Sequence, residues 1–239
     1  MLTTEQIDNF TKYFRVEFVN TEQQRLDMQH LRYEVYIEEF GFDDVAKFPD
    51  MLEYDEYDDF ASACIIYHIP TNTPAACVRL IPGLECDQLP VEKYIAHSLD
   101  KSIMTSLNTD RSNLGEISRL AVSKKFRRRP KESLSPAGWS TGEERSYPLL
   151  SVACFMACIV LADTLHIENN IASMEPFLPR LIQRSGPKFT EIGSLVEYHG
   201  ARSTYLVYKQ EVLNNLSEVC KDFLADIEAD ILQQIMCIY

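Results

Sequence analysis

Phe14, Val16 and Phe18 alternate with polar residues in FRVEFVN, the period of a strand with one buried face. Thr21 stands three residues before Gln24, a capping-box spacing, so a helix is expected from there to about Phe40, with Gly41 as its stop. ASACIIYHI (61–69), the turn PTNT and PAACVRLI (74–81) read as an antiparallel hairpin. Residues 82–113 are mixed, with a short helix after Pro90, and EISRLAV (116–122) reads as a central strand. Residues 127–147 carry two prolines, two glycines and many charges, the composition of an irregular, mobile insertion.

Residues 148–165 are apolar almost all round, the pattern of a buried helix. A strand is expected near 169–174, a helix from Pro176, and strands near 188–196 and 203–209. In 211–237 Leu213, Leu216, Cys220, Phe223, Ile227 and Ile231 fall on one stripe, so this segment reads as an amphipathic helix packed on the rest or on a partner. The order β-α-ββ-β-α-β-α-β-β-α is that of an α/β chain with a mixed sheet and helices on both faces. One domain over 1–210, followed by the helical segment 211–239, is the expected organisation.

Composition narrows the function classes. The 239 residues carry a formal charge of −13, which disfavours non-specific binding to nucleic acid or anionic membrane. The six basic residues between Lys124 and Lys131 are a local exception. Seven cysteines occur, with no CxxC pair and mostly apolar neighbours; they read as reduced thiols of a cytoplasmic protein. The N-terminus has no signal-peptide pattern, and the apolar run 149–162 is short of the ~20 residues of a membrane span. No HExxH or clustered His/Asp spacing suggests a metal.

Several charged residues interrupt the apolar pattern. Arg32 has no charged neighbour three or four positions away on its helix, where Met28, Gln29, Val35 and Tyr36 stand. Asp55 and Asp58 precede the first hairpin strand, in a run that also fits a solvated acidic loop. Arg79 lies in the apolar strand ACVRLI, where a guanidinium has to be paired or reach water. Glu116 and Arg119 are three apart, so a regular strand would turn them to opposite faces.

LRYEVYIEEFGF, D-x-x-D at Asp55 and Asp58, VRLIP and E-x-S-R-L-A-V, in that order, resemble the acyl-homoserine-lactone synthases and the related N-acyl amino acid synthases. MEPFLPRLIQRSGPKFTEIGSLVEYHGARSTYLV and SRLAVSKKFRRR resemble the exosortase-associated acyltransferases of the PEP-CTERM system. The resemblance covers roughly residues 14–208. It implies a GNAT-like fold whose central sheet splays into a cleft for a thioester-bound acyl group. Carried over position by position, it implies active-site roles for Arg32, Phe42, Asp55, Asp58, Arg79, Glu116 and Arg119. Phe42 stands where the lactone synthases usually have tryptophan, and Tyr36 where they have phenylalanine.

Acyl transfer to an amine requires a base, for which Glu116 is the candidate, and oxyanion donors, for which backbone N–H groups of Leu120, Ala121 and Val122 are candidates. An arginine suits the carboxylate of an amino-acid acceptor, and an aspartate suits its ammonium. Cys77 is a rival nucleophile, without a histidine at a supporting spacing. His199 in YHGAR matches the exosortase-associated pattern, although a turn at Gly200 explains it too, and His166 fits a partner for the dipole at a helix C-terminus.

GNAT enzymes that use acetyl-CoA carry a glycine-containing pyrophosphate loop after this strand; RRRPKESLSP has no glycine, and Pro130 removes a donor. Lys124, Lys125, Arg127, Arg128 and Arg129 instead suit an acidic partner or a phosphopantetheine phosphate. The expected donor is therefore an acyl carrier protein thioester, with no tightly bound cofactor. A flexible solvated loop is the plain alternative for this cluster. The expected activity is N-acyl transfer from that donor to a small amine such as an amino acid. A lactone-forming synthase, a CoA-dependent acyltransferase and a non-catalytic module that binds acyl carrier protein are the competing readings.

Overall fold

The computed structural model describes residues 2–127 and 146–237. The chain begins with helix α1 (Thr4–Tyr13), started by a capping box between Thr3 and Gln6. The alternation at Phe14 does not announce this helix, which the sequence pattern left unassigned. Strand β1 (Phe14–Phe18) follows, then α2 (Glu22–Arg32). The Thr21–Gln24 capping box forms, with the Gln24 N–H donating to Thr21 Oγ1 at 3.2 Å and the Thr21 N–H donating to Gln24 Oε1 at 3.0 Å. From Tyr33 to Glu39 the helix widens into a π turn, and it stops at Gly41, whose φ of +62° suits glycine.

Strands β2 (Ser62–His68) and β3 (Thr73–Pro82) form the expected hairpin. Two short helices, α3 (Pro90–Tyr94) and α4 (Lys101–Leu107), fill the mixed stretch before β4 (Leu114–Val122). Helix α5 (Leu149–Thr164) buries nearly every side chain from Leu149 to Ala162. Just past its end, His166 takes a left-handed φ of +57°. Strand β5 (Asn169–Met174) and helix α6 (Phe177–Ile182) come next.

The strand expected over 188–196 is two short ones, β6 (Thr190–Glu191) and β7 (Val196–Glu197), with the tightly packed Gly193 between them. Strand β8 (Ala201–Tyr208) leads into α7 (Lys209–Asn215) and α8 (Glu218–Met236). The single C-terminal helix expected over 211–237 is therefore broken, with extended backbone at Leu216 (ψ 140°) and Ser217 (ψ 157°) between its two parts. Most of the insertion expected at 127–147 lies outside the described residues.

The described strands form one mixed, mostly antiparallel sheet in the order β1-β2-β3-β4-β5-β8-β6, with β7 pairing β8; the β4–β5 pair is parallel. Helices α1, α5 and α8 pack on one face around Phe10, Cys64, Leu80, Phe155 and Phe223, while α2 covers the other around Leu31, Ile65 and Cys77. At the edge strand β1, the side-chain amide of Gln234 on α8 accepts from the Phe18 N–H at 2.8 Å and donates to the Val16 carbonyl at 3.2 Å.

Two features of β4 shape the site. Pairing between β4 and β5 ends at Ile117↔Ala172, although β4 continues to Val122 along β3. The two central strands therefore part, and residues 118–120 at the opening are only half-buried. The β3–β4 register also shifts between Cys77↔Ala121 and Arg79↔Ser118, inserting one extra residue into β4. Arg119 sits in this bulge with φ +52°, a left-handed conformation costly for a residue with a Cβ.

Candidate active site

The expectation that Glu116 and Arg119 face opposite sides is overturned by the bulge. The extra residue turns the Arg119 side chain onto the face that carries Glu116 and Arg79, where it meets the loop before β2. Its ion pairs there hold the unfavourable backbone of the bulge, as does Tyr36, whose hydroxyl donates to the Leu120 carbonyl at 2.9 Å.

Three arginines and three carboxylates close into a ring. Arg32 on α2 donates to Glu53 at 2.5 Å and in bidentate fashion to Asp58 at 2.8 and 3.0 Å. Arg79 donates to Asp58 at 2.7 Å, to both oxygens of Asp55 at 2.5 and 3.0 Å, and to Ser118 Oγ at 3.1 Å. Arg119 returns from Asp55 at 2.8 Å to Glu53 at 3.0 Å. Each charge thus has two opposite neighbours, and the six formal charges cancel. Burial alone would raise Asp58, but Arg32 and Arg79 hold it well below the usual carboxylate range, and Asp55 is likewise lowered by Arg79 and Arg119.

Glu53 is the member of this ring that sequence reasoning missed. The signal was its place in LEYDEYDDF, two residues before Asp55, but a run of acids reads first as a solvated loop. Arg32 and Arg79 have no exposed surface and, with Asp58, stand behind the cavity wall rather than in it. Asp55, Glu53 and Arg119 reach the cavity.

That cavity, about 310 Å³, fills the gap between β4 and β5. Its wall carries the apolar side chains Phe155, Met174, Phe177, Leu178 and Ile182 as well as the polar Glu116, Arg119, Tyr198, His199 and Arg202. Glu116 is 3% exposed and accepts from the Val91 N–H at 3.0 Å. Burial pushes its carboxyl up to about 8, against the opposing pull of that hydrogen bond and of the Arg79 and Arg119 charges. A carboxyl poised there exchanges a proton near neutral pH.

Tyr36 and Phe42 form the aromatic wall. Their rings stack at 6.0 Å, the Arg119 guanidinium lies 5.9 Å from the Tyr36 ring, and His199 leans on Phe42 at 5.2 Å. Burial raises the Tyr36 phenol and lowers His199, so the histidine is neutral over a wider pH range than usual. His199 lies in the β7–β8 turn, with φ +51° beside Gly200 at φ +92°. Turn and cavity wall are thus one feature.

Among the three backbone candidates for the oxyanion, orientation separates two. Ser123 donates its N–H to the Ala75 carbonyl on β3 at 2.8 Å. By strand alternation Ala121 also turns toward β3, where it is opposite Cys77, and the Val122 N–H points away from β3 into the gap. Leu120 lies in the bulge and lends its carbonyl to Tyr36. Cys77 is fully buried, and burial pushes its thiol up to about 12, which makes it a poor nucleophile.

Lys124 and Lys125 are exposed on a short turn after β4, anchored by the buried Phe126. Arg127 lines the cavity, pairs with Glu39 and lies 5.2 Å from the Phe40 ring. Arg128 and Arg129 lie outside the described residues.

Residues 31–135 match the acetyltransferase (GNAT) domain family model. No curated protein matches the sequence. Among solved structures, TofI in a ternary complex with an inhibitor and MTA is similar at TM-score 0.61 and 16% identity, over 84% of this chain and 95% of that one. FeeM, an N-acyl amino acid synthase from uncultured soil microbes, is similar at TM-score 0.57 and 16% identity, over 88% and 97%. BjaI, a CoA-dependent acyl-homoserine lactone synthase with SAM and isopentyl-CoA, is similar at TM-score 0.57 and 16% identity, over 90% of each chain. The fold is GNAT-like, with the splayed sheet and the helices on both faces that the sequence led one to expect.

Proposed function

We propose that the chain is an N-acyltransferase that moves a fatty acyl group from an acyl carrier protein thioester to the amine of a small acceptor such as an amino acid. The observation that carries this reading is Glu116, a buried carboxyl pushed up to about 8, in the wall of a cavity that also has a large apolar lining. The acyl chain lies among Phe155, Met174, Leu178 and Ile182, and its thioester carbonyl meets the opened segment of β4. Ionised Glu116 takes a proton from the acceptor ammonium or amine, directly or through one water. The amine nitrogen then attacks the thioester carbon. The Val122 N–H donates to the developing oxyanion, a contribution of ~3–4 kcal/mol for one donor of this kind. Collapse re-forms the carbonyl, breaks the C–S bond and expels the phosphopantetheine thiolate, which leaves as the thiol with the proton that the attacking nitrogen loses on becoming the amide, while a proton taken from an ammonium passes from Glu116 to water.

In this reading Arg119 and the ring behind it hold the β4 bulge and set the position of Val122. The donor assignment rests on Lys124 and Lys125, exposed on the turn just before the cavity-lining Arg127, and on the absence of glycine from RRRPKESLSP. A CoA donor is the second reading, favoured by the CoA-dependent synthase of similar fold. The test is release of free thiol and formation of an amide from acyl carrier protein or acyl-CoA thioesters, with an amino-acid mixture as acceptor. Amide formation that is faster with the carrier supports the proposal; faster reaction with CoA selects the second reading. Absence of amide from either donor rejects both.

A further inference from the structure

The Arg119 charge is met by Glu53 and Asp55, and Arg127 is paired with Glu39. Arg202, on β8, is different. Its Nε donates to the carbonyls of Tyr198 at 2.9 Å and His199 at 3.2 Å, and its Nη2 donates to His199 at 3.0 Å. Among the described residues no carboxylate lies within ion-pair distance of it. Three bonds to carbonyls and a position 5.8 Å from the Phe42 ring fix its orientation, while N–H groups of both terminal nitrogens remain unused. This is a half-buried, pre-oriented cation whose own loop supplies no counter-charge, and it lines the same cavity as Glu116. Tyr198 lines the cavity with both. Glu175, one position beyond the Met174↔Ser203 pair and so opposite Arg202, lines the cavity but forms no ion pair with it.

We propose that Arg202 is the residue that holds the carboxylate of the acceptor and so selects the free acid over a neutral analogue. This deepens the acyl-transfer reading and rests on it. A planar guanidinium that lines the cavity with N–H groups unused on both terminal nitrogens can take a carboxylate in the fork geometry that arginine favours. A carboxylate on Arg202 is bound in the same cavity as Glu116. Arg32 and Arg79 are not available for this role, because both are buried and committed to Asp55, Asp58 and Glu53. Phe42 is the shelf under the guanidinium, and His199 braces that shelf through its ring and Arg202 through its carbonyl.

The experiment measures binding separately from turnover. The common L-amino acids and their C-terminal amides are presented to the full chain, and binding is followed by saturation-transfer NMR. The same compounds are then used in the thiol-release assay. Wild type is expected to bind at least one free acid about 10- to 100-fold more tightly than its amide, the range for loss of a charge-assisted pair. Arg202→Met should remove that difference, raising KM for the acid with little change in kcat and leaving the amide unaffected. Arg202→Lys keeps the charge without the fork and should fall between; it carries the test if Arg202→Met does not fold. Equal binding of acid and amide by wild type, unchanged discrimination in the variants, or no binding of any free acid overturns the proposal. Discriminating binding without amide formation would support the Arg202 site and reject the acyl-transfer reading alone.

Discussion

Arg79 and Arg119 share one oxygen atom: Asp55 Oδ2 accepts from Nη2 of both, at 3.0 and 2.8 Å. One arginine comes from the regular part of β3 and has no exposed surface, and the other from the bulge in β4, with a side chain 31% exposed. Asp55 therefore connects the packed sheet to the cavity, and the two arginines should respond differently to removal.

Arg79→Ala is expected to destabilise the fold by about 3–5 kcal/mol, because it leaves Asp55 and Asp58 buried with one partner fewer. Arg119→Ala should cost clearly less stability, since water reaches its site, yet lower activity by releasing the bulge. Urea denaturation of both variants checks the order. Equal losses would mean that the ring is uniformly buried.

Glu116→Gln keeps the acceptor for the Val91 N–H and removes the base. Turnover should fall by about 10²-fold or more with the melting temperature retained. In wild type, kcat/KM should rise with pH up to about 8 and then level off, as Glu116 ionises. Deducting the profile of the Gln variant removes the titration of the acceptor amine. A well-folded Gln variant with wild-type turnover would exclude Glu116 as the base.

The pH dependence of stability has two opposite parts. Asp58 is depressed in the folded chain, so its contribution is present above its unfolded pKa and is lost as pH falls through the acid range. Glu116 is raised from 4.5 to about 8, so the folded chain binds more protons in that window and stability declines as pH rises through it. Denaturation midpoints should therefore drop from pH 5 to pH 8 in wild type and drop less in Glu116→Gln.

Reversing Lys124 and Lys125 to glutamate should slow association with an acidic carrier protein at low salt and leave chemistry on a bound acyl group nearly unchanged, because rim charges act mainly on encounter. Stopped-flow binding at two ionic strengths checks this. Equal low-salt rates would assign the turn to solvent.

Elements written within one segment were legible. Strand β1 and the Thr21 capping box follow from local alternation and spacing, and Gly41 ends its helix for a conformational reason visible in the residue itself. Helix α1 was equally local but short, and its capping residues Thr3 and Gln6 precede only two buried apolar positions, Ile7 and Phe10. The bulge at Arg119 is a mismatch of count between β3 and β4, which neither strand carries alone. The ring needs α2, the loop before β2, β3 and β4 together; Asp55, Asp58, Arg32, Arg79 and Arg119 stood out by their types, but which of them face the cavity is settled by packing. Arg202 gave no pattern, since a lone arginine near a turn is ordinary until its neighbours are known to be carbonyls.

The Gln234 amide on β1 bears on how this chain behaves among its own copies. An edge strand offers donors and acceptors in the spacing that another strand needs, and it invites sheet extension between molecules. Gln234 occupies the Phe18 N–H and the Val16 carbonyl together, as a neighbouring peptide group would. Helix α8 is thus a stopper on the growing side of the sheet. Its removal would expose Phe10 and Phe223's packing surface together with a strand edge ready to pair, and the outcome would be self-association that begins far from the cavity.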